Sequence, residues 1–144
     1  MKKIILFSLL ILAPFMSGCM TSLKVNLEPG KTFSDLGKTY VAHFDPDKRN
    51  LHQIIANELK AMGAFAAAGE RAEMPSDADT LVTYVDNWYW DMGNYMIKIN
   101  IKFFNAKTED LIVSGESYRT SLARKEPEFM IRETLEKIMS KKLA

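Results

Sequence analysis

Three consecutive stretches in the second half of the chain constrain its fold more than any other feature. From Tyr95 to Phe104 the side chains alternate: Tyr95, Ile97, Ile99, Ile101 and Phe103 on one side, Lys98, Asn100 and Lys102 on the other. A period of two puts the first set on a buried sheet face and the second in water. Just before it, Leu81 to Trp90 has the β-branched and aromatic content of a long strand, and Asp91-Met92-Gly93-Asn94 makes a turn. Just after it, Asn105 to Asp110 is a second turn and Leu111 to Thr120 a third strand. Strands joined by turns this short pair antiparallel, so the three predict a meander.

A sheet with one apolar face needs a cover. Leu51, Ile54, Ile55, Leu59 and Met62 fall at helical spacing, and Gly63 is a natural stop. Asn50 followed by Gln53 matches a capping box at the start of this helix. Met130, Ile131, Thr134, Leu135, Ile138 and Met139 form a second stripe behind Pro127, a residue suited to a first helical turn. Thr39 to Phe44 reads as a further strand, and Ala64 to Ala68 as a short one. The predicted fold is α+β: a mainly antiparallel sheet of four to five strands, two helices packed on one face, and the order β-α-β-β-β-β-α. Residues 39–144 form its single domain. Residues 19–38 read as a lipidated start and tether, with turn chemistry at Pro29-Gly30; alternation of Leu23, Val25 and Leu27 leaves a short edge strand as the alternative.

The first 18 residues carry a different kind of information. Lys2 and Lys3 precede an apolar run from Ile4 to Phe15, and the run ends at Met16-Ser17-Gly18-Cys19. This is the pattern of a secretory signal peptide. The run is about 12 residues, short of the roughly 20 that cross a bilayer. Its last four residues resemble the lipobox of bacterial lipoproteins, with Met16 where that family favours Leu. The resemblance implies cleavage between Gly18 and Cys19 and acylation of Cys19, the only cysteine in the chain. It also implies a bacterial envelope protein anchored by lipid. Met20, rather than Asp, after the cysteine favours the outer membrane, facing the periplasm. Two or more acyl chains anchor a protein stably, each buried methylene contributing about 0.8 kcal/mol.

Charge narrows the partners. Lys2 and Lys3 are two of the 19 basic residues, so the part after Gly18 carries 17 against 18 acidic ones. That balance excludes a nucleic-acid surface or a polybasic membrane patch. An acylated Cys19 leaves no thiol for a disulfide, so the core alone must hold the domain.

No motif commits the chain to catalysis. Ser114-Gly115-Glu116-Ser117 is not the nucleophile elbow, and no phosphate-binding glycine loop occurs. Asp86 and Asp91 read as solvated acids near a strand end. His43, on a strand, and His52, on a helix, lack metal-ligand spacing, and neither a metal nor another cofactor is expected. Arg119, Arg124, Lys125 and Arg132 read as a solvated face balanced by Glu126, Glu128 and Glu133.

The stretch Asp86-Asn87-Trp88-Tyr89-Trp90-Asp91 holds both tryptophans. On a strand, Tyr84, Asp86, Trp88 and Trp90 share a face. Turned from the helices, they form an aromatic surface for a protein partner or a ligand; turned inward, they are core. This stretch and Tyr118-Arg119-Thr120-Ser121-Leu122 resemble parts of the small bacterial lipoproteins to which no activity is assigned. The element order is also loosely similar to small domains of envelope-assembly proteins, including the amino-terminal domain of TolB and curli-secretion-type lipoproteins. The resemblance implies a non-enzymatic binding or scaffolding lipoprotein in envelope assembly, transport or maintenance. The alternative is a lipoprotein that binds a cell-wall glycan or lipid on Tyr84, Trp88 and Trp90.

Overall fold

The computed structural model describes residues 20–33 and 35–143. Its elements are β1 (Thr21–Leu27), β2 (Lys38–Ala42), α1 (Leu51–Ala61), β3 (Phe65–Gly69), β4 (Thr80–Trp90), β5 (Asn94–Asn105), β6 (Leu111–Arg119) and α2 (Pro127–Met139). The class is α+β, with one six-stranded sheet in the order β1-β6-β5-β4-β2-β3. Strands β4, β5 and β6 form the expected antiparallel meander.

The sheet is mainly antiparallel as expected, but two features differ from the expected four to five strands. Residues 21–27, expected within a tether, pair with β6 from Thr21↔Arg119 to Leu27↔Val113, so the edge-strand alternative is the one observed. Phe33 and Leu36, further along the same stretch, are buried in the core. In addition, β2 runs parallel to both its neighbours, β3 and β4. A parallel pair needs a crossover, and α1 provides it between β2 and β3.

Both helices lie against one face of the sheet. Leu51, Ile55 and Leu59 of α1 and Met130, Ile131, Leu135 and Ile138 of α2 meet Val41, Val82, Tyr84, Ile99, Ile101, Phe103 and Val113 in a single core. A bidentate contact from Arg132 to Glu58 joins the helices at the surface. Gly115 sits where α2 presses closest: a Cβ there would stand 2.8 Å from Ile138 and 2.9 Å from Thr134.

One bulge changes the alternation. The register shifts after Asn87↔Lys98, the next pair being Trp88↔Met96, and Ile97 is left between them. One extra residue swaps the faces of the side chains beyond it. Met96 is therefore fully buried, while Ile97 is only half-buried.

The start of α1 also departs from expectation. Asn50 is left-handed, with φ 57°, and makes no side-chain cap. The cap comes from Asp47, whose carboxylate accepts from the Leu51 amide at 2.6 Å and the Arg49 amide at 2.7 Å. The Tyr84 hydroxyl, reaching across from β4, donates to the same carboxylate at 2.7 Å.

Candidate functional site

One end of the sheet gathers the unusual surface. Because β1 pairs antiparallel with β6, Thr21 stands beside Arg119. Tyr118 pairs with Lys98, so the β4–β5 hairpin tip projects beyond this same end. The first turns of α1 and α2 lie there too, because Leu51, Pro127, Trp88 and Asn94 line one cavity.

The aromatic stretch is divided by this arrangement. It lies on the helix side, not the open side, so the three-ring platform of Tyr84, Trp88 and Trp90 does not form. Tyr84 is 2% exposed and belongs to the core. Burial, then its bond to Asp47, pushes its phenol pKa up. Trp88 is half-buried beneath the Arg49 guanidinium, which lies 3.7 Å above the ring, and its indole N–H donates to Asp86. Trp90 runs past the helices and is 69% exposed. Asp91 sits in the tip turn, its amide donating to the Gly93 carbonyl. Asp86 is engaged by the Trp88 indole.

Apolar exposure concentrates at the tip. Among the described residues, ten large apolar side chains are exposed, and Met20, Tyr89, Trp90, Met92, Leu122 and Phe129 share this end. Tyr89 packs edge-on against Tyr95 at 6.0 Å. Beside the tip lies a cavity of about 490 Å³ lined by Arg49, Trp88, Tyr95, Arg124 and Lys125, among others. Arg124 stands 4.7 Å over the Tyr95 ring. Such stacking holds an arginine in place without neutralising it, at about 0.5–2 kcal/mol.

The expected basic face is therefore split. Arg119 is bound by Glu133 at 2.7 Å, and Arg132 by Glu58 at 2.8 Å. Arg124 and Lys125 line the cavity with Arg49, and Glu126 and Glu128 line it with them.

The histidines, which show no metal-ligand spacing in the sequence, meet in the fold. His43 follows β2, His52 lies in the first turn of α1, and their ring centroids are 4.6 Å apart. His43 faces the Asp47 carbonyl through Nε2 and Glu70 through Nδ1. The Asp47 carbonyl, then Glu70, raise its pKa against the opposing effect of burial. Burial and the neighbouring His43 lower that of His52. The sequence signal was the short β–α connection: it brings the end of β2 onto the first turn of the next helix.

Cys19 and the Gly18–Cys19 cleavage point lie outside the described residues. No described helix is long and apolar enough to cross a membrane.

Comparison with known proteins places the fold. No protein-family model matches the chain, and no curated protein matches it. It is similar to solved PelC, a dodecamer from Paraburkholderia phytofirmans, at 16% identity and a TM-score of 0.60, over 81% of this chain and 96% of that one. A single-substitution form of the same dodecamer gives 17% identity and a TM-score of 0.56, over 87% and 98%. TolB from Acinetobacter baumannii matches at 12% identity and a TM-score of 0.45, over 83% of this chain and 31% of that one. The PelC likeness is one of fold.

Proposed function

We propose that this chain is a non-enzymatic lipoprotein, anchored by acyl groups on Cys19 to the periplasmic face of the outer membrane, and that the hairpin-tip end of its sheet rests on the lipid. The observation that carries this reading is the shared end. β1 begins at Thr21, two residues after Cys19, and its start lies at the end where Trp90 and Met92 project. An anchor at Cys19 would bring that end to the bilayer. Tryptophan and tyrosine favour the membrane interface. Arg49, Arg124 and Lys125 beside the tip are set against Glu126 and Glu128 in the same lining, so the aromatic side chains rather than charge would hold the tip at the lipid. The open sheet face and edges would stay available to an envelope partner. The PelC structures are dodecamers, which makes further copies of this chain a natural partner; native mass spectrometry would count them.

Mass spectrometry of the membrane-extracted protein should find an acylated peptide beginning at Cys19, absent from Cys19→Ala, and Cys19→Ala should leave the membrane fraction. In vesicles containing brominated lipid, tryptophan emission of the acylated protein should be quenched. Trp90→Phe should remove most of that quenching. Unquenched emission from bound protein would turn the tip away from the bilayer and assign it to a protein partner.

The ligand-binding alternative moves from the lost platform to the cavity, where Arg49, Arg124 and Lys125 outnumber Glu126 and Glu128 and Trp88 and Tyr95 offer rings to a glycan or lipid head group. Arg49→Ala with Arg124→Ala should then abolish glycan binding in calorimetry while leaving membrane attachment unchanged.

A further inference from the structure

His52 presents a problem that the rest of the fold does not solve. It is 7% exposed, and its Nδ1 is buried without a hydrogen-bond partner. Buried ring nitrogens are ordinarily satisfied, since an unmet one carries its full desolvation cost. The nearest acceptor, Asp47 Oδ2, lies 4.0 Å away, beyond hydrogen-bond range. Nor can Asp47 turn toward it, because three donors already hold its carboxylate: Arg49 N, Leu51 N and the Tyr84 hydroxyl.

The surroundings of that nitrogen form a donor set. Ligand atoms of His43, Asp47 and His52 all lie within 4.8 Å of one another. A carboxylate has about four lone-pair positions. On Asp47, Leu51 N and the Tyr84 hydroxyl take both positions of Oδ2 and Arg49 N takes one of Oδ1, so the open position is on Oδ1. We propose that His43, Asp47 and His52 bind one divalent transition-metal ion of the zinc type. Two imidazoles and one carboxylate are the ligands that such ions take, whereas calcium and magnesium prefer oxygen alone. Tetrahedral ligands with bonds of about 2.1 Å stand roughly 3.4 Å apart. The ligand atoms, at most 4.8 Å apart without an ion, would draw in by about 1 Å around one.

The outer partners of such a site are in place. His43 Nδ1 meets Glu70 Oε1 at 2.8 Å. A carboxylate on Nδ1 fixes the tautomer that presents Nε2 as the ligating nitrogen; Nε2 now faces the Asp47 carbonyl at 3.1 Å and would turn from it to an ion. Tyr84 and two backbone amides orient Asp47 in the same way. The His43 side chain is 18% exposed, which gives an ion a route in from solvent and leaves a fourth position for water. Bound there, the ion would tie the end of β2 to α1, to β4 through Tyr84, and to β3 through Glu70. A second cluster, His43 with Asp45 and Glu70, shares one histidine but is more exposed, and variants separate the two.

The purified full chain, stripped with EDTA, would be titrated with zinc chloride by calorimetry and with cobalt(II) by visible absorption. One ion should bind, and the cobalt form should show the intense bands of a four- or five-coordinate site. His43→Ala and His52→Ala should each weaken binding more than about 100-fold, beyond what loss of an outer partner costs; Glu70→Gln should weaken it about tenfold. Asp45→Ala should change nothing. Circular dichroism checks the fold of each variant, and if His52→Ala does not fold, His52→Gln, closer in volume, carries the comparison, because His43 belongs to both clusters. No binding to folded wild type at millimolar zinc would overturn the proposal. So would binding that survives His52→Ala and is lost in Asp45→Ala.

Discussion

Asp47→Ala should lower the unfolding free energy by about 3–5 kcal/mol. The helix cap is worth roughly 1 kcal/mol. The larger part comes from leaving the Tyr84 hydroxyl and the Arg49 amide without their acceptor, at about 1–3 and about 1 kcal/mol. Urea unfolding, followed by both fluorescence and circular dichroism, measures the loss. Tyr84→Phe removes only one donor and should cost about 1 kcal/mol. A loss below about 1 kcal/mol for Asp47→Ala, no more than a cap alone, would mean that the loop after β2 is held some other way. The same carboxylate gives a pH signature. Burial alone would raise its pKa, but the Tyr84 hydroxyl and the Arg49 and Leu51 amides outweigh burial and bring it below the usual value. A group depressed on folding stabilises above its unfolded pKa, about 3.9, and loses that contribution as pH falls through the folded value. Between about pH 5 and pH 2, wild type should therefore lose more stability than Asp47→Asn does.

Gly115→Val should be comparably severe. Even a Cβ at this position would meet Ile138 at 2.8 Å and Thr134 at 2.9 Å. Both side chains are fully buried, so neither can swing into solvent. Overpacking of this kind costs about 1–3 kcal/mol for a small group and more for a branched one. Gly115→Ala should lie at the low end of that range. Gly115→Val should push α2 off the sheet and drop the melting temperature by about 10 °C or more for a domain of this size. Wild-type melting of Gly115→Val would show that α2 has room to lift, and that the contact against β6 is loose.

What could be read in the chain, and what could not, divides along physical lines. The meander was legible because burial of one sheet face writes a period of two into Tyr95–Phe104. Both helices were legible because their stripes are long and their ends carry Gly63 and Pro127. The bulge at Ile97 was not, since one inserted residue leaves alternation on each side of it intact. β1 was ambiguous because an edge strand buries little, and Leu23, Val25 and Leu27 alternate among polar neighbours. The cap of α1 went to the wrong residue: Asn50 has the right type and spacing, but its left-handed backbone aims the side chain elsewhere, and Asp47 reaches over it. The aromatic stretch was legible as unusual, but not as divided. Strand parity puts Tyr84, Trp88 and Trp90 on one face, and only the length of the helices above decides which of them is covered. The histidine pair depends on a tertiary approach that no local motif records.

The pairing of β1 with β6 sets the order in which the molecule can be completed. Thr21 and Arg119 stand at nearly opposite ends of the domain sequence, and contacts of such separation form slowly because a long loop must close first. The meander and its helices can assemble from nearer neighbours, with β6 exposed as an unpaired edge until β1 arrives. Were the chain anchored at Cys19 as proposed, closure of that last strand would also draw the domain in to the bilayer: before it the anchor would be a loose leash, and after it two residues would separate lipid from sheet.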